Sequence, residues 1–341
     1  MLMPTELLTL SDAGLYCAVG DFHIDPWRPV PRAVITHAHG DHARRGSASY
    51  LTTHEGARVL RTRMGPDAAI QTVNYGEAVN HNGVRVSLHP AGHILGSAQI
   101  RVEYDGEIWV ASGDYKIEAD PTCTPFEAVR CHTFITESTF GLPIYRWPGT
   151  DKVFAGINAW WRANREEGKA TIIYGYALGK AQRLLAGVDA SIGPIFTHGA
   201  VERLNADYRA TGIPLPPTTY AAAANKADFA GSLIVAPPSA HGTTWLRRFG
   251  NVSTGFASGW MQIRGKRRQK AVDRGFVLSD HVDWTGLSGA IKATGASRVW
   301  VTHGYTAVVV RWLQEQGYDS RAIETRFSGE GEEPEIEEES V

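Results

Sequence analysis

The chain is poor in cysteine. Its three thiols, Cys17, Cys123 and Cys131, are an odd number without paired spacing, which indicates neither a disulfide framework nor a thiolate zinc site and fits a reduced cytoplasmic protein. Long apolar runs are missing too. Nowhere do about 18 apolar residues follow one another, as a membrane-spanning helix needs, and Met1 to Tyr16 carries neither a basic leader nor a sustained apolar segment, so no secretory signal is expected. No internal repeat at a fixed period is evident. A net charge of one sign is also lacking: the formal value is -2, which argues neither for nor against a polyanionic partner. Its distribution is uneven. The last thirteen residues, Gly329 to Val341, hold seven glutamates and no basic residue, which leaves the rest of the chain at about +5, a mildly basic body. This tail reads as a disordered, solubilising end.

What is present is enough for a large core. With 341 residues and 43% hydrophobic content, two domains or one large one are expected. The most informative stretch is Ala33 to His42, Ala-Val-Ile-Thr-His-Ala-His-Gly-Asp-His. Its β-branched start reads as a buried strand over 33–36 that runs into three histidines and an aspartate. In a strand, residues i and i+2 share a face, so His37 and His39 can offer imidazoles to one ion while Gly40 lets the chain turn. Asp41 and His42 then face a second position. Imidazole and carboxylate suit zinc, manganese or iron. Four such residues in a surface turn are the plainer alternative.

Further strands end in the same way. Asp25 follows Phe22-His23-Ile24 and reads either as a turn residue before Pro26 or as a carboxylate that holds a ligating imidazole in its tautomer. Val84 to Leu88 leads to His93 in a glycine-flanked loop, and Ile108 to Gly113 leads to Asp114, placed like a bridging ligand or like an ordinary turn aspartate. Thr133 to Thr136 leads to Glu137. From about Pro143 to Arg274 helical patterns (154–163, 181–188) alternate with short apolar runs (171–174, 233–235), the signature of a parallel α/β unit. Strands followed by ligand-type residues then return, with 275–278 leading to His281 and 298–302 to His303. The middle stretch therefore reads as an insertion.

With these residues in hand, the chain resembles the metallo-β-lactamase-fold nucleases of the β-CASP group. His37-Ala38-His39-Gly40-Asp41-His42 matches the superfamily signature; Asp25, His93 in Ala-Gly-His-Ile-Leu-Gly and Asp114 in Ser-Gly-Asp match its other metal motifs in order; Glu137, His281 and His303 match the motifs that define the β-CASP subgroup. Segments such as Ile24-Asp25-Pro26-Trp27-Arg28-Pro29 and Tyr176-Ala177-Leu178-Gly179-Lys180-Ala181-Gln182 are further similar to bacterial ligase-associated DNA exonucleases. The resemblance implies an α/β fold, an αββα metallo-β-lactamase sandwich (1–144 and 275–328) with an inserted α/β β-CASP cap (145–274), followed by the acidic tail (329–341).

It also implies two divalent ions, zinc or manganese. His37, His39 and His93 would hold one and Asp41, His42 and His303 the other, with Asp114 bridging and Asp25 behind them. Such a pair activates water for attack on phosphorus and neutralises charge on the phosphoryl oxygens. His281, paired with Glu137, is the candidate general acid for the leaving oxygen. Substrate contacts are expected from the inserted domain: Lys180 and Gln182 at a helix start, Ser258 beside Gly259, and the basic run with Arg264, Arg267 and Arg268 near Trp260, a mixture that suits backbone tracking and base stacking. Arg44, Arg45, Arg247 and Arg248 are weaker candidates. The expected activity is DNA exonuclease action in repair, from the 5′ end, with DNA as partner and an ATP-dependent DNA ligase and a helicase as associates. A β-CASP ribonuclease is the alternative, favoured by the histidine at 303, and a small-molecule hydrolase is a third reading.

Overall fold

The computed structural model describes residues 6–326, without the side chain of Arg267; the acidic tail lies outside the described residues. The chain divides into two compact units. One comprises the residues up to Ile144 together with those from His281 on, and the other is Tyr145–Asp280.

Two sheets face one another in the first unit. One has six strands in chain order, from Thr9–Ser11 to Ile70–Val73; its first three are antiparallel and the rest parallel. The other has seven strands. The antiparallel meander from Ala78–His81 through Val84–Pro90 and Ala98–Tyr104 to Glu107–Ala111 continues, in parallel, with Thr133–Ser138, Arg298–Gly304 and Asp319–Ala322.

Period-two alternation assigns each side chain of these strands to a layer. Trp109, Ala111, Ile135 and Trp300 point inward, against Leu15, Phe22, Ile24 and Val34 of the facing sheet. Their neighbours Val110, Phe134, Val299 and Val301 point outward, onto Leu287 and Ile291 of helix Trp284–Thr294 and Val309 and Leu313 of helix Thr306–Glu315. Helix Ala57–Met64 buries Val59, Leu60 and Met64 and belongs to the same unit. Trp109 and Trp300 meet edge to face at 4.5 Å between ring centres, an arrangement worth roughly 0.5–1.5 kcal/mol beyond the area it buries.

The second unit is a six-stranded parallel sheet in which Ala170–Tyr174 lies between Leu233–Ala236 and Val252–Ala257. Such strands are covered on both faces and read as continuous apolar runs, as Ala-Thr-Ile-Ile-Tyr and Leu-Ile-Val-Ala do. Helix Thr150–Glu166 buries Val153, Phe154, Ile157, Trp160 and Trp161 at helical spacing. Its two indole N–H groups donate to Ser253 Oγ and Gly231 O, so the large rings leave no orphaned donor.

The insertion ends later than expected. Strand Arg274–Phe276, read from sequence as the start of the returning sandwich, pairs in parallel with Val252–Ala257, and Leu278 packs in the core of the second unit. The apolar run at 275–278 looks alike in either sheet, so local pattern could not assign it.

Near its end the second unit contains a buried ion cluster. Lys180 Nζ lies 2.9 Å from Asp280 Oδ2 and Arg183 Nη1 lies 3.2 Å from Asp280 Oδ1, with all three side chains buried. Removing this carboxylate takes the counter-charge from two buried cations. Asp280→Ala is expected to destabilise the protein by roughly 3–5 kcal/mol, read as a lower urea midpoint at unchanged slope.

Candidate metal centre

The ligand-type residues emerge along one edge of the sandwich. Strands Glu107–Ala111, Thr133–Ser138 and Arg298–Gly304 are parallel neighbours, so their C-terminal ends deliver Asp114, Glu137 and His303 to the same side. In the facing sheet, the parallel strands Phe22–Ile24 and Ala33–Val34 lead to Asp25 and to the histidine cluster. The strand expected over 33–36 ends at Val34. His37 and His39 therefore converge through a turn, in which His39 O accepts from Ala43 N at 2.8 Å, rather than by sharing a strand face.

Asp114 is the centre of the cluster. Its Oδ2 lies 3.6 Å from His37 Nε2, 3.4 Å from His42 Nε2 and 3.9 Å from His93 Nε2, while Oδ1 lies 3.1 Å from His303 Nε2. His39 Nδ1 stands 3.1 Å from His93 Nε2, and Asp41 Oδ2 is 3.8 Å from His42 Nε2. All seven side chains are buried. Six of them form two overlapping groups of donor atoms, His37, His39, His93 and Asp114 in one, His42, Asp114 and His303 in the other; Asp41, expected from sequence as a ligand beside His42 and His303, stands outside both groups.

These residues fit two divalent ions. The donors are all nitrogen and oxygen, a set that serves zinc and manganese alike. His37 Nε2 is buried without a hydrogen-bond partner, a costly state for an imidazole unless a ligand completes it. The electrostatics of the protein alone point the same way. Burial, then the neighbouring imidazoles of His42, His93 and His39, push His37 well below the usual histidine value, so its nitrogen is a free lone pair at neutral pH. Burial also works against charge on His42, but the carboxylates of Asp114, Asp41 and Asp25 outweigh it and hold His42 well above that value. For Asp114 burial opposes ionisation, and His42, His281 and His303 overcome it, keeping the carboxyl ionised.

A second layer fixes the rings. Asp25, in left-handed backbone at φ 45°, accepts from Thr36 N at 2.8 Å, from Thr36 Oγ1 at 2.5 Å and from His42 Nδ1 at 2.7 Å. That last bond turns His42 Nε2 toward Asp114. Thr36 Oγ1 also lies 3.0 Å from His37 Nδ1, and Thr302 Oγ1 lies 3.1 Å from His303 Nδ1. Sequence reading missed both threonines. The signal was available, since a Thr-His pair closes the approach to each of these two ligands.

Glu137 and His281 adjoin the cluster. His281 Nδ1 is 2.9 Å from Glu137 Oε2 and 3.9 Å from Asp114 Oδ2. Glu137 Oε1 also accepts from Tyr115 N at 2.9 Å, and the strand carrying it slips register between Thr136 and Ser138. A bulge of this kind re-aims a side chain at a sheet rim.

The expected substrate residues fall into two groups. Lys180 is buried on Asp280 rather than displayed to a phosphate. Gln182 is buried as well, with Oε1 accepting from Gly179 N at 2.8 Å and Nε2 donating to Ala177 O and Asn205 Oδ1. Ser258 is buried and its hydroxyl oxygen accepts from Trp260 N at 3.2 Å. All three, expected from sequence to contact substrate, are buried and engaged with protein groups. Arg264 and Arg268 are exposed on the short helix Arg264–Gln269, and Lys266 Nζ lies 5.7 Å from the Trp260 ring. The side chain of Arg267 lies outside the described residues.

Comparison with known proteins agrees with this architecture. No family model matches the chain. A protein of Opitutus terrae named "Probable DNA ligase" is 29% identical over 313 residues, 91% of this chain and 30% of that protein. The cleavage and polyadenylation specificity factor subunit 3 of Dictyostelium discoideum is 31% identical over 35% of this chain and 16% of its own length. The endoribonuclease ysh1 of Aspergillus fumigatus is 32% identical over 35% and 14%. The chain thus spans less than a third of these relatives. A protein of unknown function from Enterococcus faecalis superposes with a TM-score of 0.60 at 12% identity, over 87% of this chain and 80% of the other. The fold is metallo-β-lactamase with a β-CASP insertion. Within that fold the ordered histidines and aspartates form a buried cluster of metal-ligand type.

Because His42 holds a proton in the metal-free protein, loading must displace it. Metal affinity is expected to rise with pH through neutrality, with proton release measurable by calorimetry in buffers of different ionisation enthalpy. Asp25→Asn should weaken metal binding about 10–100-fold in chelator competition.

Proposed function

We propose that the protein is a metal-dependent DNA exonuclease that works in cytoplasmic DNA repair, from the 5′ end, alongside an ATP-dependent DNA ligase. The observation that carries the phosphodiesterase reading is the Glu137–His281 pair set against the Asp114 cluster. Hydrolysis of a phosphodiester needs an activated water, charge neutralisation and a proton for the leaving oxygen. Bound divalent ions supply the first two. The chain's own contribution is the third: Glu137 holds Nδ1 of His281, which leaves Nε2 to donate the proton. Asp114, His37 and His42 keep the ligand side of the site buried and oriented.

Support for DNA comes from the extent of likeness. The relative that matches 91% of the chain is named for DNA ligation, and the ligase partner is inferred from that name and from the family resemblance; the helicase association rests on the resemblance alone. A ribonuclease is the second reading, supported by the relatives named endoribonuclease, which match about a third of the chain, and by the histidine at 303.

Metal-stripped protein resupplied with manganese or zinc and given end-labelled single strands of one sequence should release mononucleotides from DNA, 5′ label first, and leave RNA largely intact. Preferential RNA cleavage would transfer the assignment to the ribonuclease reading. His281→Ala should keep its metal content and lose turnover by about 10²–10⁴-fold; undiminished cleavage removes the acid role. Neutralising Arg264, Lys266, Arg268 and Lys270 together should flatten the salt dependence of binding to single strands, the slope falling by roughly 0.7 for each phosphate that is no longer neutralised.

A further inference from the structure

Three of the candidate ligands have a side-chain partner on the ring: Thr36 on His37, Asp25 on His42 and Thr302 on His303. For His93 the support reaches the backbone. It lies in the connection 91–97 between the antiparallel strands Val84–Pro90 and Ala98–Tyr104, and every residue of that connection is buried, so its N–H groups need partners within the protein. Ser97 serves two of them. Its Oγ accepts from His93 N at 3.0 Å and from Ile94 N at 3.2 Å, a side-chain-to-backbone closure of the kind by which serine fixes a turn.

The same residue ties the connection to its surroundings. Ser97 O accepts from Ala91 N at 3.2 Å and from the Tyr75 hydroxyl at 3.0 Å, and the next amide, Ala98 N, donates to Thr36 O at 2.8 Å. Thr36 is the residue behind His37. Both glycines of the connection are seated against neighbouring backbone: a Cβ on Gly92 would meet Lys116 O, and one on Gly96 would meet Gly56. With its ends so confined, the freedom left to the connection is the direction in which residue 93 projects its imidazole, and the Ser97 hydroxyl removes it.

We infer that Ser97 is a positioning residue for His93 and, through it, for one of the two ion positions. His93 belongs to the donor group with His37, His39 and Asp114, not to the one formed by His42, Asp114 and His303. The inference rests on the reading of the cluster as a two-ion centre. Removing the hydroxyl leaves two buried N–H groups without their acceptor and releases the ring that completes the first group. The second group keeps its own supports, Asp25 and Thr302.

Metal-stripped protein titrated with cobalt(II) against a competing chelator reads the two affinities, and His93→Ala and His303→Ala, measured in parallel, assign each to its donor group. In Ser97→Ala the affinity of the His93 group is expected to fall about 10–100-fold, as when a metal ligand loses its outer partner, and that of the other group at least about tenfold less. Equal losses at both positions, as a general loosening of the fold gives, or no loss at either, overturn the inference. Should Ser97→Ala not accumulate folded, the pair Ser97→Thr and Ser97→Val, alike in shape, isolates the oxygen. Threonine is expected to keep the first affinity within about threefold and valine to lose about 10–100-fold; equal affinities in the two overturn the inference. A wild-type protein that takes up fewer than two ions overturns the two-ion reading and the inference with it, whereas two ions in the wild type and an even loss in Ser97→Ala overturn the positioning role alone.

Discussion

Everything at the rim of the sandwich depends on one buried anion. Asp114 sits out of water with histidines at 3.1–3.9 Å on both carboxylate oxygens, and an isolated carboxylate in such a place would cost several kcal/mol. The imidazoles offset that cost only if their ring nitrogens stay aimed at it. This explains the depth of the supporting structure. Gly113, at φ 56°, brings the chain so close to Thr36 that a Cβ would lie 2.7 Å from its side chain, and Thr36 is the residue that ties Asp25 to His37. Asp25 in turn ties to His42. The ligands of the two metal positions are thus cross-linked through Asp114 in front and through Thr36 and Asp25 behind, so a shift in one imidazole propagates to the others.

The centre was legible in the sequence because its chemistry is concentrated where strands end. Alternation places a residue on a face, and a turn-forming glycine or aspartate marks the point where a strand delivers its next side chain to the sheet edge. Asp114 after Ser112-Gly113 and His303 after Val299-Trp300-Val301-Thr302 carry both signals. The route by which His37 and His39 converge was less legible. Ile35 and Thr36 have β-branched side chains and extended pattern, yet the ladder stops at Val34, because Thr36 N is claimed by the Asp25 carboxylate instead of a neighbouring strand. A side-chain acceptor eleven residues away overrode local propensity.

The inserted unit shows the opposite case. Gly179-Lys180 at a helix start looks locally like an anion site, and Gln182 and Ser258 look like polar groups for substrate, but burial is not a local property. Lys180 is buried because Asp280, a hundred positions later, comes to meet it; Gln182 is consumed in closing its own helix through Gly179. Arg264 and Arg268, by contrast, are exposed on the helix Arg264–Gln269. The pairing of Arg274–Phe276 with Val252–Ala257 is likewise a non-local property that the apolar pattern of the strand does not carry.

The register shift opposite Glu137 bears on two parts of the cluster. Thr136 pairs with Val301 and Ser138 with Gly304, so Thr302 and His303 together oppose the single residue Glu137, whose carboxylate meets His281. The same irregularity governs His303: Ser138 Oγ donates to His303 O at 2.7 Å, and Gly304, at φ 94°, packs so tightly that a Cβ would collide with Ser138 O. One displaced register therefore accompanies both the carboxylate that meets His281 and the imidazole that reaches Asp114 Oδ1. Glu137, which meets His281, and His303, which meets Asp114, are thus carried by one pair of adjacent strands.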